Sequence, residues 1–232
     1  NHPHSHGPLL IAAGAGSGKT KTLTNRLIKL IHDGVPPEHI IAITFTNKAA
    51  EEMRDRVQQL MSHANATANE SENSSTPFVG TFHSLGVRIL KHEAKLLGRT
   101  PMFTIYDDDD SLSLIRQTFK KFKLEKTRHS PLKLRPQIGR MKNELLIPED
   151  HLDAPELEIF KAYEHALQKN NAFDFDDLIE KPVRIFQQHP SVLERYRNQF
   201  RHILVDEYQD VNTNQYFFVK LLAEKHQNLS VV

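Results

Sequence analysis

Along this 232-residue chain, short β-branched runs alternate with longer stretches of helical period, and that alternation predicts the architecture. An apolar run at 8–13 is followed by Leu23, Leu27 and Leu30 at helical spacing. After a turn at 34–37, the run 40–45 predicts a buried strand, and Met53, Val57 and Leu60 stripe a helix that starts near Ala49. A third strand is expected at 77–81, a tight exit at Phe82, His83 and Ser84, and a helix at 85–97. This β-α-β-α order predicts a parallel sheet flanked by helices, an α/β fold. The intervening stretch 62–77, crowded with Ser, Asn and Thr, reads as an exposed loop, and its glycosylation-type triplets at Asn65, Asn69 and Asn73 read as accidents of composition.

From about 98 to 182 the pattern is mainly helical with weak strand signals. Asp107 to Asp110 precede the stripe Leu112, Ile115, Phe119 and Phe122, so these acids are expected to cap a helix rather than to hold a metal. A further helix carries Leu157, Phe160, Tyr163 and Leu167, and 173–178 opens another. The block reads as a helical subdomain inserted into the α/β domain, giving segments 1–84, 85–187 and 188–232. In the last segment a helix at 191–199 leads into an apolar strand at 202–205, and Leu229 to Val232 read as a strand just beginning.

The chain has no cysteine, which excludes disulfides and thiolate metal sites, and no apolar run nears the ~20 residues of a membrane span. With no secretory leader, a cytoplasmic protein without membrane contact is expected. Both ends read as cut, and the alternating His2, His4 and His6 read as a flexible terminus or remnant rather than a metal site. The net charge is only +1, yet residues 116–142 hold ten Lys or Arg against the single acid Glu125. Such a run is either a solvated face or a surface for a polyanion.

The densest chemistry lies at Ala13-Gly14-Ala15-Gly16-Ser17-Gly18-Lys19-Thr20, between the first strand and the first helix. Glycines let successive backbone N–H groups turn inward on a polyphosphate at a helix N-terminus. Lys19 would reach the β- and γ-phosphates of ATP, and Thr20 would hold Mg²⁺. The distant strand 202–205 ends in Asp206-Glu207, the second half of a nucleotide site. Asp206 would bind the metal, and Glu207 would orient and deprotonate the attacking water. A kinase passing phosphate to a small molecule would not need that second carboxylate.

Five ordered stretches resemble the N-terminal part of UvrD/Rep-type superfamily 1 DNA helicases: residues 13–20, 44–50, 80–84, 173–179 and 205–210. The resemblance spans nearly the whole chain. It implies a first RecA-like P-loop NTPase domain carrying an inserted accessory subdomain, within an ATP-dependent enzyme that moves 3′ to 5′ along single-stranded DNA in repair, replication or recombination. It implies a phosphate cradle from Ala13 to Lys21, catalytic roles for Lys19 and Glu207, and coupling of nucleotide to DNA through Gln209. Phe45, Thr46, Asn47 and His83 would lie on the single-strand track, with a base stacked on the Phe45 ring. Lys133, Arg135 and Arg140 of the basic stretch would touch duplex at a single-strand to double-strand junction. Relatives often carry an arginine against the adenine where this chain has Lys21, and the glutamine segment expected before Pro8 is missing. The second RecA-like domain with its arginine finger would lie downstream, so the fragment alone is expected to hold half a catalytic site and not to unwind DNA. The helicase part of a helicase-nuclease, and a nucleotide- and DNA-binding module without turnover, remain as alternatives.

Overall fold

Strand β2 (Ile40–Thr44) is buried at every position, the mark of a strand covered on both faces. It lies in a five-stranded sheet with β1 (Leu9–Leu10), β3 (Phe78–Thr81), β6 (His202–Val205) and β7 (Leu229–Val231), in the order β1-β7-β6-β2-β3. Every pairing is parallel, and Ile43 stands opposite Val205 while Thr44 stands opposite Thr81. The computed structural model describes residues 7–12, 18–65, 75–122 and 130–232.

Parallel neighbours need crossover connections, and helices supply them. Helix α1 (Lys19–His32) contributes Leu23, Leu27 and Leu30, and α2 (Asn47–Asn65) contributes Met53 and Val57, to a core shared with Ile40, Ala42, Val79 and Leu204. The expected α/β fold with a parallel sheet is therefore present. Its details differ at several ends. Within the described residues β1 is only two residues long, α2 runs to Asn65 into the stretch read as loop, and α3 (Phe82–Glu93) starts directly on the last strand residue of β3. Residues 66–74 of that loop, with the triplets at Asn69 and Asn73, lie outside the described residues.

The chain divides into two compact units. The first comprises the described residues of Asn1–Ser84, Phe186–Val211 and Val219–Val232, and holds the five-stranded sheet together with α9 (Pro190–Gln199). The second comprises Leu85–Ile185 and Asn212–Phe218. It contains α4 (Asp108–Lys121), α5 (Pro131–Glu144) and α7 (Ala154–Lys169), packed around Ile115, Phe119, Ile138, Ile159, Tyr163 and Leu167, and the short α6 (Pro148–His151). Asp107 and Asp110 form a reciprocal capping box on α4, which realises the expected cap.

Three features depart from the expected pattern. The segment at 173–178 does not open a helix at once, because β5 (Ala172–Asp174) first pairs in parallel with β4 (Thr104–Tyr106), and α8 (Asp177–Gln188) follows. Helix α5 is hidden by two prolines, Pro131 at its start and Pro136 inside it. Helix α10 (Thr213–Ala223) is apolar on most sides, so it lacks the stripe that marks an amphipathic helix. Gly86 is required where it stands: a Cβ there would lie 1.7 Å from the Leu178 carbonyl oxygen. No described helix is long and apolar enough to cross a membrane.

Candidate nucleotide and nucleic-acid site

Because all five strands run parallel, their carboxyl ends share one edge of the sheet, where ligands bind in open α/β folds. The segments after β1, β2, β3 and β6 carry, respectively, Lys19 and Thr20, then Phe45 to Asn47, then His83, then Asp206 and Glu207. Ala13, Gly14, Ala15, Gly16 and Ser17, called from the sequence as the phosphate cradle, lie outside the described residues. Gly18 enters α1 at φ 83, a left-handed turn that favours glycine, and Lys21 is exposed one residue past Thr20.

The two halves of the predicted nucleotide site meet through side chains. The Lys19 ammonium donates to Glu207 Oε2 at 3.0 Å, and the Thr20 hydroxyl donates to Asp206 Oδ2 at 2.8 Å. Gln209 Nε2 donates to the same Glu207 Oε2 at 2.6 Å. The turn that presents these acids is pinned by backbone bonds: Asp206 N donates to the Ile43 carbonyl at 2.9 Å and Tyr208 N to the Val232 carbonyl at 2.8 Å. Burial pushes the Asp206 carboxyl above its ordinary range, against the Thr20 hydrogen bond. The Gln209 amide, followed by Lys19, holds the Glu207 carboxyl below its ordinary range.

This donor set fits Mg²⁺ bound to a nucleotide. Mg²⁺ takes hard oxygens at ~2.1 Å in octahedral geometry, which sets adjacent ligand oxygens ~3 Å apart. The Thr20 and Asp206 oxygens already converge to 2.8 Å. Lys19 beside them is the cation a phosphate needs. By contrast, the three-carboxylate group Glu164, Asp174 and Asp177, which lies close enough for a metal, is already filled. Lys142 Nζ stands 2.7 Å from each carboxylate, and its side chain is 3% exposed.

The single-strand candidates divide into packed and exposed groups. Phe45 is half-buried and meets the buried Phe82 ring edge-on at 5.7 Å, while Thr46 and Asn47 are exposed at the start of α2. Thr46 Oγ1 accepts from Ala49 N at 3.1 Å and so caps that helix, leaving its N-terminal dipole directed at solvent. His83 is half-buried in the first turn of α3.

The basic stretch is less uniform than its sequence. Lys133 and Arg140 are exposed on α5, with Arg140 paired to Glu144 one turn away. Arg135 is tied within the fold: its guanidinium bridges Asp176 at 3.0 Å and Asp108 at 2.7 Å. Lys142 is likewise an interior cation, and residues 123–129 lie outside the described residues. The Lys142 network is absent from the sequence-based expectations. Its signal was the acid-rich Phe173-Asp174-Phe175-Asp176-Asp177-Leu178, since carboxylates set among core aromatics demand a buried cation.

The whole chain, residues 1–232, matches the family described as UvrD/REP helicase N-terminal domain. It is similar to the ATP-dependent DNA helicase PcrA of Staphylococcus epidermidis strain RP62A, 43% identical over 98% of this chain and 31% of that protein. The same-named protein of Staphylococcus aureus strain Mu50 is 42% identical over the same shares. The chain thus spans about a third of the length of these relatives.

Proposed function

The chain belongs to the UvrD/REP helicase N-terminal domain family, and from that premise we propose that it forms the ATP-binding half of a 3′ to 5′ DNA helicase. The observation that carries this reading is the convergence of Lys19, Thr20, Asp206 and Glu207 at the carboxyl edge of the sheet, from positions 188 and 186 residues apart. Lys19 holds the β- and γ-phosphates, Thr20 and Asp206 hold Mg²⁺, and Glu207 positions the attacking water and accepts its proton. The metal, when bound, neutralises charge on the phosphates. Gln209, already bonded to Glu207, orients that carboxylate and links it to the DNA side of the edge.

Single-stranded DNA lies along the starts of α2 and α3. The exposed start of α2 at Thr46 and Asn47 receives phosphates, with half-buried His83 beside the track, and the half-buried Phe45 ring stacks a base. Lys133 and Arg140 add sequence-independent contact with duplex phosphates at a junction. The second unit is the accessory subdomain in this reading, and a second RecA-like domain of the same polypeptide completes the cleft. The protein acts on DNA in the cytoplasm, in repair, replication or recombination. The naming of both relatives as ATP-dependent DNA helicases supports the reading.

The test is ATP hydrolysis by the protein that carries this domain, with and without single-stranded DNA, alongside strand separation on a 3′-tailed duplex. DNA-stimulated turnover that Lys19→Ala abolishes is expected. Turnover indifferent to DNA would refute the motor reading and leave a nucleotide-binding module.

A further inference from the structure

We propose that Thr44, a side chain that touches no DNA, is a positioning residue for the single-strand track: its hydroxyl ties the end of β2 to the cap of α2 and so fixes the direction of the Phe45 ring. This rests on the single-strand reading above and names what holds that track in shape. Thr44 is the last residue of β2 and 0% exposed, so a nucleic acid cannot reach it and its hydroxyl must be satisfied from within. Thr44 Oγ1 donates to the Thr46 carbonyl at 3.1 Å. That same carbonyl accepts from Ala50 N at 3.0 Å, the first bond of α2, and Thr46 Oγ1 accepts from Ala49 N at 3.1 Å. The strand and the helix are thus both fastened to Thr46. Phe45 stands between the two tied residues, so its backbone is clamped on both sides.

The neighbouring turn is locked in a matching way. Thr81 ends β3 directly opposite Thr44 and is likewise buried. Its Oγ1 accepts from Ser84 N at 3.2 Å, while Ser84 Oγ donates to the Thr81 carbonyl at 2.8 Å. Gly80 admits this lock, because a Cβ there would run into the Ser84 hydroxyl. Phe82, enclosed by that turn, is 1% exposed and meets the Phe45 ring edge-on, at 5.7 Å between centroids and 70° between planes. The half-buried Phe45 ring therefore has a fixed backstop behind it and a fixed stem beneath it. A ring held in this way loses little freedom when a base stacks on it, whereas a loose ring would be ordered at the expense of affinity.

Binding of a fluorescein-labelled oligothymidine to the protein that carries this domain, followed by anisotropy and set beside urea unfolding of the same variants, tests this. Thr44→Val keeps the branched shape and removes the hydroxyl. The Thr46 carbonyl retains Ala50 N, so no acceptor is stranded and stability should change little. Single-strand affinity should fall about three- to ten-fold, the range one neutral hydrogen bond supplies. Thr44→Ser does the reverse: it deletes a buried methyl and keeps the donor, so it should unfold more easily yet bind DNA within about two-fold of the wild type. A purely structural Thr44 would order the two variants by stability alone. In the Phe45→Ala background, Thr44→Val should cost little further affinity, since the ring it positions is gone. Equal affinity of wild type and Thr44→Val, an equal loss from Thr44→Ser, or full additivity with Phe45→Ala would overturn the positioning role while leaving the track in place. Failure of the wild type to bind the oligonucleotide would instead overturn the single-strand reading, and this role with it.

Discussion

Replacing Lys142 with methionine keeps the volume of a buried side chain and deletes its charge, which isolates the electrostatic role of one atom. Lys142 Nζ lies 2.7 Å from Asp174, Asp177 and Glu164, and both aspartates have fully buried side chains. Tyr163 also donates to Asp174 Oδ2 at 2.8 Å. Burial opposes the ammonium, but the three carboxylates outweigh it and hold its pKa well above the ordinary lysine value. Removing one partner of a buried ion pair costs ~3–5 kcal/mol, because the remaining charge is stranded. Lys181 stays beside Glu164 at 2.8 Å and Asp177 at 3.3 Å, so Asp174 is the acid most exposed to the loss and a value within that range is expected, a large fraction of a typical total stability of ~5–15 kcal/mol.

The loss should depend on pH. In the wild type, burial and the Asp174 charge raise Asp177 to about 7, so this group favours the folded chain at low pH and that contribution is lost as pH rises from about 4 to 7. Asp174 and Glu164 go the other way: burial opposes their charge but Lys142 prevails, so their contribution is full above the ordinary carboxylate range and is lost as pH falls below it. In Lys142→Met all three acids are pushed upward. The deficit measured by urea unfolding should then be largest at pH 8 and shrink toward pH 5 as the acids protonate. Lys142→Met with Asp177→Asn, which removes one charge of each sign, should recover part of the loss. An equal deficit at both pH values, or a loss under ~1 kcal/mol, would refute the buried-cation account.

Phe45→Ala should weaken single-stranded DNA binding by ~1–3 kcal/mol with a smaller loss of melting stability, because the ring is half-buried rather than enclosed. A larger stability loss than affinity loss would assign Phe45 to packing. Lys133→Ala with Arg140→Ala should flatten the slope of log K against log[salt] for duplex by up to ~0.9 per lost contact. Arg135→Ala should instead lower stability and leave that slope unchanged. Gly86→Ala should destabilise by ~1–3 kcal/mol or more in urea unfolding, since its Cβ meets the Leu178 carbonyl at 1.7 Å.

The sheet was legible because its strands are buried on both faces and so appear as unbroken apolar runs such as 40–44. The meeting of Lys19 with Glu207 and of Thr20 with Asp206 was legible as far as motif order went, because both segments directly follow apolar strand runs of one parallel sheet. Other features obey no local rule. Helix α5 contains Pro136, and strands β4 and β5 are three residues each and pair across 68 positions, so neither leaves a periodic trace. The charge count over 116–142 merges two kinds of cation. A lysine in solvent and a lysine in a carboxylate cage contribute equally to net charge, and only tertiary partners distinguish Lys133 from Lys142. The direct ion pair between Lys19 and Glu207 was equally invisible, because side-chain partners 188 residues apart leave no local trace.

The central claim is that Glu207 serves the water and Lys19 the phosphate, on one site assembled from both ends of the chain. Steady-state turnover and ATP binding of Glu207→Gln, measured together in the protein that carries this domain with Mg²⁺ and single-stranded DNA, test it most directly. The account predicts undiminished ATP affinity with kcat lowered ~10²-fold or more. An unchanged kcat, or binding and turnover lost together, would contradict it.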